Sequence, residues 1–150
     1  MTKLIIIFLA SGAFIGFIPF APGTFGSLLG IIIFYFIAPF PPLIYLLTII
    51  TLFFLAVWLA HYAENIFKLK DSPKIVIDEI LGCLIAISFI PFSLSNMIWG
   101  FLFFRLFDII KPPPINLVHQ RLSGGWAVVL DDVIAGFCAN IILRILNQGG

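Results

Sequence analysis

Long apolar runs, separated by short clusters rich in proline and polar residues, extend along the whole chain. Six runs can be distinguished, with approximate bounds 4–20, 24–38, 43–67, 76–90, 97–110 and 124–146. The runs end at P-F-A-P-G, P-F-P-P, the polar loop K-L-K-D-S-P-K, P-F-S-L-S-N and K-P-P-P. Proline stops a helix because it lacks the amide hydrogen and clashes with the preceding turn. The pattern predicts an all-α bundle of about six short hydrophobic segments.

Four of the six segments are short for a bilayer. A helix needs about 20 residues to cross the hydrocarbon core. The first, second, fourth and fifth segments fall below that length. We expect these segments to lie in a thin region of the bilayer, or the first two to form a re-entrant hairpin.

Composition places these helices in a membrane. Of 150 residues, 62% are hydrophobic and 10% are charged, whereas soluble domains carry about 25% charged residues. Mean hydropathy is +1.21. We expect a single membrane-embedded domain over residues 1–150, and a net charge of +1 indicates no nucleic-acid partner. Lys3 and the apolar run behind it resemble a signal peptide, but the later segments favour a retained helix.

The charged residues are segregated. If six segments alternate in direction, residues 21–27, 61–79 and 105–132 lie at one membrane face. Every basic residue except Lys3 and Arg144 falls there, so the positive-inside rule places this face in the cytoplasm and both termini outside, although Lys3 opposes that orientation. All acidic residues fall there as well: Glu64, Asp71, Asp78, Glu79, Asp108, Asp131 and Asp132.

The fifth segment carries three charges at steps of three residues. Arg105, Asp108 and Lys111 share one helical face, and Arg105 lies about 9 Å deeper than Lys111. Ionisable groups in such an apolar helix need one another, water or an ion. One interpretation is a structural salt bridge between Arg105 and Asp108; the other is a polar pocket with further charged partners.

Two acidic pairs provide those partners. Asp78 and Glu79 begin the fourth segment, and Asp131 and Asp132 lie about two turns into the sixth, at a similar depth. Oxygen ligands favour a hard cation such as Mg²⁺. Adjacent helical residues point about 100° apart, so we expect one residue of each pair to bind the metal. The other could orient a water or a lysine.

The motif A-P-G-T-F-G-S predicts a helix start with Thr24 as its cap. Unpaired amides at a helix N-terminus attract anions, and arginine presents a planar fork that suits phosphate. We therefore expect a phosphate to bind Gly23, Thr24, Arg105 and Lys111.

Three polar residues lie beside this predicted site. His61 and Glu64 are one turn apart, and either support the metal site or form an interfacial hydrogen bond. Asp71 precedes Ser72-Pro73, so it either supports the site or caps a turn. His119 is expected in a polar loop without a role.

The chain resembles the phosphatidylglycerophosphatase A family. The resemblance rests on A-P-G-T-F-G-S, H-Y-A-E, D-S-P-K-I-V-I-D-E-I-L-G, F-R-L-F-D-I-I-K-P-P-P-I and L-D-D-V-I-A-G, which follow one another between residues 21 and 136. Ser123 stands where some members carry a histidine before the glycine pair. The polar motif positions carried over are Thr24, Asp71, Asp78, Glu79, Arg105, Asp108, Lys111, Asp131 and Asp132.

This resemblance implies a multi-pass enzyme of the bacterial inner membrane that depends on Mg²⁺ and hydrolyses phosphatidylglycerophosphate to phosphatidylglycerol and phosphate. The metal is expected to bind Asp78, Glu79, Asp131 and Asp132, and to activate a water. Arg105 is expected to stabilise the developing charge. The predicted catalytic residues are Asp78, Asp131, Arg105 and Asp108, and an aspartyl-phosphate on Asp78 or Asp131 is an alternative route.

Two other classes of protein are weighed against this one. A small ion- or proton-coupled transporter would also use carboxylates inside the membrane, but it would need polar groups along a path to both faces. The second face has almost none. A lipid-binding assembly subunit without catalysis would not need paired carboxylates. The charge distribution therefore favours an enzyme whose partner is a membrane phospholipid.

Overall fold

The computed structural model describes residues 2–113, 115 and 122–148, and this part of the chain contains six α-helices and no strand. A 3-10 helix, Ile15–Phe17, lies between the first two. The prediction of an all-helical fold is confirmed for these residues. The helices are α1 (Thr2–Ala10), α2 (Pro22–Ile37), α3 (Pro42–Phe67), α4 (Ile77–Ala86), α5 (Leu94–Ile110) and α6 (Gly125–Gln148).

The first helix is shorter than the sequence predicted. It ends at Ala10 instead of continuing toward Phe20, because Gly12, Ala13 and Phe14 have φ angles of 55°, 56° and 69°. Three left-handed residues in a row cannot continue a right-handed helix. The apolar pattern alone carries no sign of this break.

The short helix α4 lies at the centre of the fold. Every residue of α4 except Glu79 is buried. Glycines on α2 allow the close approach: a methyl group at Gly26 would lie 2.8 Å from Cβ of Val76, and one at Gly30 would lie 2.9 Å from the Ile80 carbonyl. The contacts follow the same order along both helices, so α2 and α4 run parallel.

Helix α6 covers another side of α4 in the same direction. A methyl group at Gly82 would lie 2.8 Å from the Asp132 carbonyl, and one at Gly136 would collide with the Gly82 carbonyl. Side chains this small let two helix backbones approach closely. The three parallel helices α2, α4 and α6 therefore start at one end of the bundle, which we call the charged end.

Helices α3 and α5 finish at the charged end. His61, near the end of α3, lies against Gly124 before α6, where a methyl group would be 2.9 Å from its Nδ1. Lys111, directly after α5, pairs with Asp131 on α6. The helix directions agree with the predicted alternation, and they bring the three charged junctions together.

Two helices among the described residues are long and apolar enough to cross a membrane, namely α3 and α6. Only 28% of the apolar stretch of α3 is buried in the protein, compared with 61% for α6. Helix α3 is therefore peripheral with a wide apolar face, whereas α6 belongs to the core. At about 1.5 Å per residue, α1 and α4 are each about 15 Å long or less, too short to cross the hydrocarbon core.

Candidate active site

Three carboxylates converge at the charged end. Asp78 and Glu79 belong to the first turn of α4, and Asp132 lies in the first half of α6. One oxygen from each lies within 4.8 Å of the other two. Asp78 and Asp132 are only 6% and 3% exposed, and Glu79 is half-buried. We call these three residues the acidic cluster.

The acidic cluster lacks partners for part of its oxygen atoms. Asp78 Oδ1, Glu79 Oε2 and Asp132 Oδ2 are buried, and none has a hydrogen-bond partner in the part of the chain that the structure describes. Like charges this close repel one another, and buried charges are costly unless they are compensated. An all-oxygen set of donors is what a hard divalent cation prefers. The residues present therefore fit a metal ion.

The two acidic pairs differ from each other: α6 places one carboxylate in the cluster and the other on a lysine, in agreement with the prediction, whereas both carboxylates of α4 lie in the cluster. In α4, both Asp78 and Glu79 contribute an oxygen to the acidic cluster. In α6, Asp132 joins the cluster, while the neighbouring Asp131 forms an ion pair with Lys111. Asp131 is 2% exposed, so its carboxylate is held in place between α5 and α6.

Lys111 completes this contact from the C-terminal cap of α5. Partial burial lowers the pKa of Lys111, but the hydrogen bond to Asp131 and the charges of the surrounding carboxylates outweigh burial and raise it. Lys111 therefore remains charged at neutral pH beside the acidic cluster.

Arg105 lies close to Glu79 of the acidic cluster. Its Nη1 forms an ion pair with Asp108 one turn further along α5, and its side chain is 16% exposed. Its Nε is buried without a hydrogen-bond partner among the described residues. The structure contains the salt bridge considered from the sequence, but the pair leaves one guanidinium donor unused.

Gly23 in the first turn of α2 lies against both Glu79 and Arg105. A methyl group at Gly23 would collide with Glu79 Oε1 and would lie 3.2 Å from Arg105 Nη1. The missing side chain therefore lets the Glu79 carboxylate and the Arg105 guanidinium pack closely against the start of α2. A cationic donor and the acidic cluster lie next to each other there.

Thr24 does not cap α2, which corrects the prediction. The N-cap residue is Ala21, Pro22 takes the first helical position, and no side chain caps the helix. The amides of Thr24 and Phe25 both donate to the Ala21 carbonyl. Proline is favoured at the first helical position because its missing amide hydrogen costs nothing there. The helix start therefore offers an anion fewer free amides than the motif suggested.

Glu64 and His61 support the charged end without joining the acidic cluster. Glu64 Oε1 accepts a hydrogen bond of 2.7 Å from the amide of Asp71, whose φ is 50°. Glu64 thus anchors the loop between α3 and α4, and His61 contacts Gly124. His119 and Arg121 lie outside the described residues.

Gly82, which was not identified from the sequence, and Gly136, which belongs to a small-residue face of the last helix, support the site from within the helix contact. They let α4 and α6 approach closely, as described above, and so bring the acidic cluster together. A signal was available. D-E-I-L-G (78–82) and D-V-I-A-G (132–136) share an aspartate followed by a glycine four residues later. In both helices, the carboxylate and the close contact lie one turn apart.

Comparison with known proteins gives one consistent result. The family model described as phosphatidylglycerophosphatase A matches residues 8–147. A Bacteroides thetaiotaomicron protein with a provisional name of phosphatidylinositol-3-phosphatase is 35% identical, over 87% of this chain and 86% of its own length. Phosphatidylglycerophosphatase A of Escherichia coli is 33% identical (93% and 82%), and that of Haemophilus influenzae is 34% identical (90% and 84%). No solved structure matches significantly, and none of the matches supports a transporter.

Proposed function

Because the chain belongs to the phosphatidylglycerophosphatase A family, we propose that it hydrolyses the terminal phosphomonoester of phosphatidylglycerophosphate to phosphatidylglycerol and phosphate. One observation carries the proposal beyond the family. The acidic cluster and Arg105 lie next to each other against Gly23 at the start of α2. A phosphate bound beside them would contact both a cation held by the cluster and the guanidinium.

The acidic cluster is the proposed Mg²⁺ site, with Asp78, Glu79 and Asp132 as ligands. A bound Mg²⁺ would supply Lewis acidity, withdrawing electron density from the phosphoryl oxygens and making a nearby water more acidic. Asp131, although predicted as a ligand, would instead keep Lys111 at the rim of the site.

Arg105 is the proposed phosphate ligand. Asp108 holds one arm of the guanidinium, and the buried Nε stays available as a donor. Charge-assisted hydrogen bonds of this kind stabilise the charge on phosphoryl oxygens in the transition state. Lys111 adds a second positive charge nearby. Attack by water is favoured over attack by Asp131, because Lys111 engages that carboxylate.

The proposed location is the bacterial inner membrane, with several passes and the charged end facing the cytoplasm. Large apolar side chains along α3 support this arrangement, since Leu43, Leu47 and Phe54 are 66%, 54% and 59% exposed. A phospholipid could leave its acyl chains in the bilayer and present its phosphate at the charged end. Oligomeric state and protein partners do not enter the proposal.

Phosphate release from purified protein in mixed micelles tests the function. Phosphatidylglycerophosphate, phosphatidic acid and phosphatidylinositol-3-phosphate are compared, each with Mg²⁺ and with chelator. We expect release that is fastest from phosphatidylglycerophosphate and lost in chelator. At the Mg²⁺ concentration that half-saturates the unmodified protein, release should be strongly reduced in Asp132→Asn. Asn147→Leu, at the far end of α6, is the control. No release from any lipid would contradict a phosphatase, and preference for the inositol lipid would assign the substrate of the Bacteroides relative instead.

A further inference from the structure

A buried asparagine joins α4 and α6 at the end opposite the acidic cluster. Asn140 of α6 is 7% exposed. Its Nδ2 lies 3.2 Å, 2.9 Å and 2.9 Å from the carbonyl oxygens of Ile85, Ala86 and Ser88, where α4 ends. The two N–H donors of one amide group are therefore within hydrogen-bond distance of three carbonyls, at the end of α4 and in the turn directly after it.

Arg144 fixes the orientation of that amide. Its Nε donates to Asn140 Oδ1 at 2.8 Å, and its Nη2 lies 3.4 Å from the Ser88 carbonyl oxygen. With Oδ1 occupied in this way, Nδ2 must face α4. The positive charge of Arg144 also lies near the C-terminal end of α4, where the helix dipole favours a cation.

The end of α4 needs such a partner. The last carbonyls of a helix have no intrahelical donor, and an unpaired carbonyl in apolar surroundings is costly. Helix α4 has only ten residues, almost all buried among apolar side chains. Sliding or rotation of α4 against α6 would break the contacts to Asn140. The Ala86 carbonyl would then lose its partner, whereas the Ile85 carbonyl also accepts from the amide and the hydroxyl of Ser88.

The same two helices carry the acidic cluster at their other end. Asn140 lies eight residues after Asp132, and Ala86 lies eight residues after Asp78. Because α4 and α6 are parallel, both pairs span about 12 Å along the axes. Contact at one end therefore sets the alignment at the other, with the Gly82–Gly136 approach between them.

We propose that Asn140 is a positioning residue for the acidic cluster: by capping α4 from α6, it sets the separation of Asp78 and Glu79 from Asp132. The inference rests on the proposed metal site and assigns a role to a residue remote from it. Loss of the cap is expected to weaken cation binding without any change to a ligand.

The test compares Asn140→Leu with Asn147→Leu. Asn147 is a matched control because it lies on the same helix but its side chain does not hydrogen-bond to α4. Its side-chain amide donates hydrogen bonds to Asn96 Oδ1 and to the Leu143 carbonyl. Binding of Mn²⁺ to the detergent-solubilised protein is measured from the signal of the free ion, well below the melting temperature. Hydrogen exchange over residues 77–90 is measured in chelator.

We expect Asn140→Leu to bind Mn²⁺ about 10-fold or more weakly, the scale of losing a residue that orients metal ligands. Exchange over residues 77–90 should accelerate, while Asn147→Leu should match the unmodified protein in both measurements. A lower melting temperature with unchanged Mn²⁺ affinity would show that Asn140 is only structural and would overturn the inference.

If Asn140→Leu does not fold, Arg144→Leu is the deciding variant, because it keeps the asparagine but removes the contact that orients its amide. Mn²⁺ affinity should then fall and hydrogen exchange should accelerate, each by less than is expected for Asn140→Leu. Unchanged values would overturn the inference. If the unmodified protein binds no Mn²⁺, the inference fails together with the metal site. Phosphate release in chelator then reports separately on the lipid phosphatase.

Discussion

At the scale of single residues, Arg105 has two possible partners, Asp108 and a bound phosphate, and the structure offers them different nitrogen atoms of the guanidinium. Asp108 takes one arm of its guanidinium, and the buried Nε has no partner in the described part of the chain. A purely structural ion pair would need only a positive charge at this position. Recognition of a phosphate would need the planar arrangement of donors that lysine lacks.

Arg105→Lys is therefore expected to lower catalytic efficiency on a lipid phosphate by about 100-fold or more, the scale of losing a donor that stabilises the transition state. The melting temperature should change little, because the ion pair with Asp108 can persist. Steady-state kinetics in mixed micelles and a melting curve on the same sample check this. Near-normal kinetics with a markedly lower melting temperature would show that Arg105 is structural.

Asp131 and Asp132 are neighbours with different surroundings, so their variants should differ. Asp132→Asn removes an oxygen of the acidic cluster and should raise the Mg²⁺ concentration needed for half-maximal activity by about 10-fold or more. Asp131→Asn should lower kcat through Lys111 while changing that concentration little. Mg²⁺ titrations of activity in both variants are the measurement. Equal Mg²⁺ dependence would mean that Asp131 is a ligand as well.

At the scale of helices, the close approach of α4 and α6 brings the acidic cluster together. Two glycines face each other at the crossing, and each lies one turn beyond an aspartate. The same small residues that pack the core therefore also set the distance between carboxylates. Packing density and site geometry are not independent in this fold.

Gly136→Ala tests this coupling. The added methyl would collide with the Gly82 carbonyl and lie 3.1 Å from Cβ of Ile85. Overpacking of this kind typically costs about 1–3 kcal/mol, and separation of the helices should also reduce Mn²⁺ affinity. Phe137→Leu, at a side chain that is 56% exposed, is the control and should leave both unchanged. An unaltered melting temperature and an unaltered Mn²⁺ affinity in Gly136→Ala would show that α4 and α6 can accommodate the methyl group at this contact.

At the scale of the whole molecule, the bundle has a charged end and an almost uncharged opposite end. Parallel α2, α4 and α6 start where α3 and α5 finish. The predicted concentration of charged residues at one face therefore follows from the arrangement of the helices. Exposed apolar side chains cover α3, and its length suffices for a bilayer. The orientation of the two ends relative to the cytoplasm is a separate question that labelling can answer.

Lys70→Cys and Ser95→Cys, each in a background without Cys83 and Cys138, report that orientation. Both positions are exposed, one in the loop before α4 and the other at the start of α5. An impermeant thiol reagent outside intact cells should label Ser95→Cys and spare Lys70→Cys. The reverse pattern would place the charged end outside. Ser72 would be a poor probe because it is only 3% exposed.

Much of the element order and the candidate chemistry follows from the sequence alone. Proline clusters and apolar runs act locally, so the positions of α2, α3, α5 and α6 were predicted to within about three residues. Buried carboxylates in so apolar a chain need compensation wherever they lie. This reasoning pointed to Asp78, Glu79, Asp131 and Asp132 without coordinates, but it did not separate Asp131 from the other three.

Only the tertiary structure decided how neighbouring residues divide their roles. Asp131 and Asp132 are chemically identical, and which one meets Lys111 depends on the rotation of α6 against α5. The early end of α1, the cap of α2 at Ala21 and the contact of Asn140 with α4 likewise arise from backbone conformation and helix register. A linear pattern records spacing along one helix, whereas these features depend on how one helix is placed against another.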